Sequence, residues 1–235
     1  MLIKTMMAGA IALAATATTS TAATFDFVSI ANAYDGLADS GNSRHEAEFD
    51  TLNAFNSSLF TVDGITISDM TAGYTSGNYA EAFFDKTDGS GPAGLGVCHT
   101  VTPQDASGCS TAGGTGTDAG DDNVTMGESV VIVFDQAVSV MDLVFYNGTH
   151  KLLNGAVEIN GLNINVAGGV LTAADYLNIN ANSLFAPNQV SFANNGSEFY
   201  VGRIDVTAVP LPASALLLLM GLGGLGAMKR RRKAA

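Results

Sequence analysis

The chain has 235 residues, 47% of them hydrophobic, and carries 22 acidic against 10 basic side chains, a net charge of −12 at pH 7. Lys4 and the five cations from Lys229 to Lys233 lie at the two ends, so residues 24–208 hold four cations against all 22 acids, a net −18. A polyanion of that kind repels phosphate backbones and anionic lipid, which excludes a nucleic-acid-binding role.

The first 23 residues have the order of a secretory signal peptide. Lys4 supplies the positive end, Met6 to Ala15 the apolar run, and Ser20-Thr21-Ala22-Ala23 the small residues a peptidase requires. The expected cut follows Ala22 or Ala23. A first membrane anchor is the other reading, although the apolar run is short and rich in small residues.

Between residues 24 and 208 the apolar pattern has period two. Thr24 to Ile30 alternates and reads as a first strand; Leu59 to Ile67 reads as a hairpin punctuated by Asp63-Gly64. Tyr79 to Phe84 is a further aromatic strand. The clearest pair is Ser129 to Asp135 and Val138 to Tyr146, joined by the short Asp135-Gln136-Ala137 link. Ala156 to Val166 reads as a hairpin about Asn160-Gly161, a type I′ pair in which both central residues need positive φ. Glu198 to Ala208 is the last strand, and Ala173 to Asn182, with Thr172 as N-cap, is the one short helix expected. Nine or ten short strands and turn-rich connections predict an all-β fold, an antiparallel β-sandwich of which a jelly roll is one form.

Asp85 to Asn123 reads as a long Gly-, Ser- and Asp-rich surface excursion. It contains the only two cysteines, Cys98 and Cys109, which in an exported chain predict one disulfide. The alternative, a metal pair, is short of ligands, because His99 alone does not complete a zinc set.

Catalytic motifs are absent: there is no Gly-x-Ser-x-Gly elbow, HExxH helix or P-loop, and His45, His99 and His150 stand in unrelated contexts. The chain is therefore not expected to be an enzyme. The strongest binding signal is Asp118, Asp121 and Asp122 with Glu128 shortly after, oxygen ligands of the kind calcium takes on a curling loop. The spacing is not that of an EF-hand, and a solvated acidic turn before a strand explains the same residues. Calcium is the only cofactor these residues suggest.

The C-terminus is different in kind. Val209-Pro210-Leu211-Pro212-Ala213 opens a stretch in which Leu211 to Met228 carries no charge. These 18 residues would make roughly 27 Å of helix, close to the ~30 Å hydrocarbon core of a bilayer. Lys229, Arg230, Arg231, Arg232 and Lys233 then set its topology, with the basic flank cytoplasmic. A motif, an apolar Gly/Leu span and a basic end in that order resemble the PEP-CTERM class of bacterial sorting signals, specifically its VPLPA variant. The resemblance covers residues 209–235. It implies export past signal peptidase, a membrane-anchored intermediate in the inner membrane, processing by an exosortase at or near the motif, and delivery to the cell surface or beyond.

The domain plan is therefore a signal peptide at 1–23, a β-sandwich at 24–208 and a sorting signal at 209–235, its transmembrane helix at 211–228. The resemblance implies a structural or adhesive protein of exopolysaccharide or biofilm material. The rival is a calcium-dependent carbohydrate-binding jelly-roll module, for which an aromatic-lined sheet face near acidic loops would speak.

Overall fold

The computed structural model describes residues 21–33, 47–75, 79–85, 87, 90–100, 123–172 and 187–209. In chain order it begins with β1 (Ala22–Asp26), helix α1 (Phe27–Ala33), β2 (Ala47–Glu48) and helix α2 (Phe49–Asn56), which runs into a 3-10 turn at Ser57–Phe60. Then come β3 (Thr61–Val62), β4 (Ile65–Tyr74), β5 (Tyr79–Asp85), β6 (Gly94–Thr100), β7 (Glu128–Phe134) and β8 (Val138–Asn147). The chain continues through β9 (Gly155–Ile159), β10 (Leu162–Val166), β11 (Val170–Leu171), β12 (Gln189–Asn194) and β13 (Phe199–Ala208).

All the strand pairings are antiparallel, and they form two sheets. One runs β11-β8-β13-β6-β5-β2, with β1 also on β13; the other runs β10-β9-β12-β7-β4-β3. The apolar faces of both sheets contribute to a single buried cluster. Strand β7 shows why: its residues alternate buried and half-buried along the whole strand, so one face belongs to the core. Across the gap, Phe25 of β1 meets Phe134 of β7 at 5.9 Å, and Phe145 of β8 meets Phe192 of β12 at 5.9 Å. Each such fully buried ring contributes about 2–3 kcal/mol by removal from water.

Strand β13 is the centre of the larger sheet. Strand β8 flanks it along its whole length, with a register shift between Val201 and Arg203. On its other side β6 pairs only at Val201, and β1 then takes over from Arg203 to Thr207. Gly202 sits at this bulge with the Tyr146 ring against its Cα, in the space a Cβ would need. Gly94 likewise brings β6 close to β13, since a Cβ there would lie 2.6 Å from the Val201 carbonyl oxygen.

Several expectations need correction. The expected strand Thr24 to Ile30 stops at Asp26, whose Oδ1 accepts the Ser29 amide at 2.9 Å and caps α1. Phe27, Ile30 and Ala31 then face the core at helical spacing. Helix α2 was likewise not anticipated, and it buries Phe49 and Leu52. The segment Asp85 to Asn123 is not one surface excursion: Gly94–Thr100 is strand β6, and Leu95, Val97 and Cys98 are buried. Strands β7 and β8 do not pair with each other, because the link at 135–137 crosses between the sheets. Asp135 instead bonds β4, its Oδ1 accepting the Thr66 amide at 3.0 Å while its own amide donates to the Thr66 carbonyl. Strand β12 has no counterpart among the strands the alternation predicts.

The remaining strands lie where expected. Asn160 and Gly161 both have positive φ, 51° and 79°, as a type I′ turn requires, and Asp63 and Gly64 repeat the geometry. The helix expected at 173–182, the signal peptide's apolar run and the span at 211–228 lie outside the described residues. Among the described residues no helix is long and apolar enough to cross a membrane.

Candidate functional site: the end of strand β13

The chain leaves the domain from the centre of a sheet. Thr207 and Ala208 pair with Ser139 and Val138 of β8, and the Val209 amide donates to the Ala137 carbonyl at 2.9 Å. On the opposite side Ala22 pairs with Thr207, and the Ala208 amide donates to the Thr21 carbonyl at 3.0 Å. Successive amides of an extended strand point to opposite sides, so two neighbouring residues fasten the strand end to two segments. Val209 is half exposed at 47% and is the last described residue. Pro210, Leu211, Pro212 and Ala213, and the basic run Lys229, Arg230, Arg231, Arg232 and Lys233, lie outside the described residues.

This juxtaposition of the two ends was not legible in the sequence. Thr21 and Ala137 have no chemical signature, and only the pairings of β1 and β8 with β13 bring them to its end.

The other expected site residues fall elsewhere. Glu128 begins β7, only 2% exposed; its Oε2 accepts the Thr125 amide at 2.7 Å and so closes the turn before the strand. Asp118, Asp121 and Asp122 lie outside the described residues, and among those described no cluster of three metal-ligating side chains occurs. Cys98 is buried, and no free thiol occurs among the described residues; Cys109, its expected partner, lies outside them.

His150 adopts φ 60° after a turn in which the Asn147 side-chain oxygen accepts the amides of Thr149 and Lys151. Its Nε2 lies 3.3 Å from Asp85 Oδ2, its Nδ1 3.2 Å from the Gly91 carbonyl oxygen, and its ring stands edge-on to Tyr200. Both nitrogens face acceptors, which anchors the turn and leaves neither open for proton transfer to a substrate. Asp50, Asp69 and Glu81 rim a groove of about 250 Å³ beside Phe49, between β4 and β5. Among the described residues these acids form no cluster that could hold a metal ion.

On the outer face of the larger sheet, Arg203 reaches Asp205 at 3.4 Å and lies opposite Asp26 in the register. Tyr146 shares this face. Burial pushes its phenol above the usual tyrosine range, Asp26 adds to the rise, and Arg203 opposes it. Arg203, one of the four cations in residues 24–208, thus offsets acids on the sheet. Among the described side chains no Phe or Tyr ring is exposed.

No curated protein and no solved structure matches the chain. One family model does, and it falls where β13 ends. Residues 208–233 match the PEP-CTERM protein-sorting motif, so the domain runs directly into a sorting signal of that class.

Proposed function

We propose that this chain is an exported protein whose C-terminus is processed by an exosortase, and that the motif is of the VPLPA form. The observation that carries this is the sorting-motif match at 208–233, together with its attachment to a β-domain at Val209. The apolar run at 211–228 holds the precursor in the membrane, and the cations from Lys229 to Lys233 keep its end cytoplasmic. Pro210 and Pro212 cannot donate backbone hydrogen bonds and keep their neighbours extended, the form in which a peptidase takes its substrate.

The two sheets form a β-sandwich that travels as cargo. Its net charge of −18 between the two signals gives it solubility at a surface and a polyanionic exterior. Its role there is structural or adhesive, within exopolysaccharide.

The test is the double variant Pro210→Ala/Pro212→Ala in the native host. The expected result is a membrane-retained protein with its tail attached. Release at the normal rate and size would overturn the reading.

A further inference from the structure

Both expected leader cuts, after Ala22 or after Ala23, fall on the C-terminal side of Thr21. Hydrolysis at either bond adds water across the peptide, leaving a carboxylate on the leader and an amine on the domain. The Thr21 carbonyl departs with the leader. It is the group that accepts the Ala208 amide at 3.0 Å, one residue before the sorting motif. Either cut also removes Ala22, the partner of Thr207. What remains of β1 pairs no further along β13 than Val206, while β8 and Ala137 hold the other side.

We propose that leader removal primes the sorting motif: cutting the N-terminus unfastens one side of the end of β13, so the two cleavages are ordered, leader first and tail second. The proposal rests on the sorting reading above. The physical reason is access. A peptidase that cuts at or near residues 209–213 must grip residues on both sides of the bond, and those upstream are Thr207, Ala208 and Val209. While both edges of that segment are paired it is available only by local opening, and its cleavage rate follows the open fraction. With Thr21 gone, the Ala208 amide turns to water and opening requires release of one edge only. Each cleavage is made by its own enzyme, the second with water or an amine as acceptor, so the fold supplies order and no chemistry.

The experiment uses the full chain in its host. The native leader is exchanged for one whose cut leaves Thr18 as the first residue, so that Thr21 and Ala22 stay on the exported domain. Tail removal is followed by pulse-chase and gel mobility. The Thr18-start chain should lose its tail about 3- to 10-fold more slowly than the native-start chain, the factor carried by one or two hydrogen bonds. A six-residue Gly/Ser insert between Ala208 and Val209 should make the two starts equal, because the motif is then free of the strand end. Equal rates without the insert would overturn the proposal. So would a slow Thr18-start chain that the insert fails to rescue. If the Pro210→Ala/Pro212→Ala chain were processed normally, the sorting reading itself would fail, independently of the comparison between starts.

Discussion

The amide of Val209 donates to the carbonyl of Ala137 at 2.9 Å, so the first residues of the stretch that matches the sorting motif, 208 and 209, still belong to the folded domain. One peptide later comes Pro210, and the apolar run begins at Leu211. In the sequence, Pro210 alone separates the last described residue, Val209, from that uncharged run.

The same geometry makes folding wait for the C-terminus. Strand β13 pairs with β8, β6 and β1 and buries Phe199, Val201, Ile204 and Val206. A chain ending at Gly196 should therefore be digested rapidly by an added protease, whereas one ending at Ala213 should resist. Equal resistance of the two would show that β13 is dispensable.

Gly94 and Gly161 separate close approach from backbone strain. Both have positive φ, 122° and 79°, but a Cβ on Gly94 meets the Val201 carbonyl oxygen at 2.6 Å while one on Gly161 meets nothing. Gly161→Ala should cost about 1 kcal/mol, the left-handed penalty alone. Gly94→Ala should cost more than twice that, because backbone must move in the middle of a sheet. Urea denaturation of both variants gives the comparison, and equal costs would contradict the β6–β13 contact.

The core was largely readable. Alternation located β7, β9, β10 and β13, and the Asn160-Gly161 turn followed from the φ that type I′ geometry demands. The sequence misled where a single residue changed the local rule. Asp26 caps a helix in the middle of what alternation presents as one strand, and a period-two pattern of four residues cannot be told from the start of a helix that buries Phe27 and Ile30. The Gly-rich composition around β6 reads as loop, whereas Gly94 serves close packing against β13 there. The crossing at 135–137 was illegible for another reason: length and turn chemistry alone do not distinguish a hairpin from a step between sheets. Nor does a sequence state that residue 21 meets residue 208.

Asp26 gives a separable test of the cap. Asp26→Ala should destabilise the domain by about 1 kcal/mol through loss of the bond to the Ser29 amide, whereas Asp26→Asn keeps an acceptor and most of the stability. If the two variants denatured together, the carboxylate would act through charge with Arg203 and not as a cap.

Tyr146 sets the behaviour in alkali. Its folded pKa is raised above the ordinary 10.0, first by burial and then by Asp26, so the folded state holds the phenolic proton more tightly than the unfolded state. That contribution is fully present below pH ~10 and is lost as pH rises through the folded value. Stability of the native domain should therefore fall more steeply above pH ~10 than that of Tyr146→Phe, in denaturant titrations across that range. Parallel curves would remove Tyr146 from the alkaline transition.

The most direct measurement is the intact mass of the protein recovered from the cell surface or medium. The account predicts a chain that begins at Ala23 or Thr24, ends at or near residues 209–213, and has lost the segment from Ser214 to Ala235. A surface protein whose mass still includes Met228 to Ala235 would contradict it, and the motif would then be an anchor that is never cut.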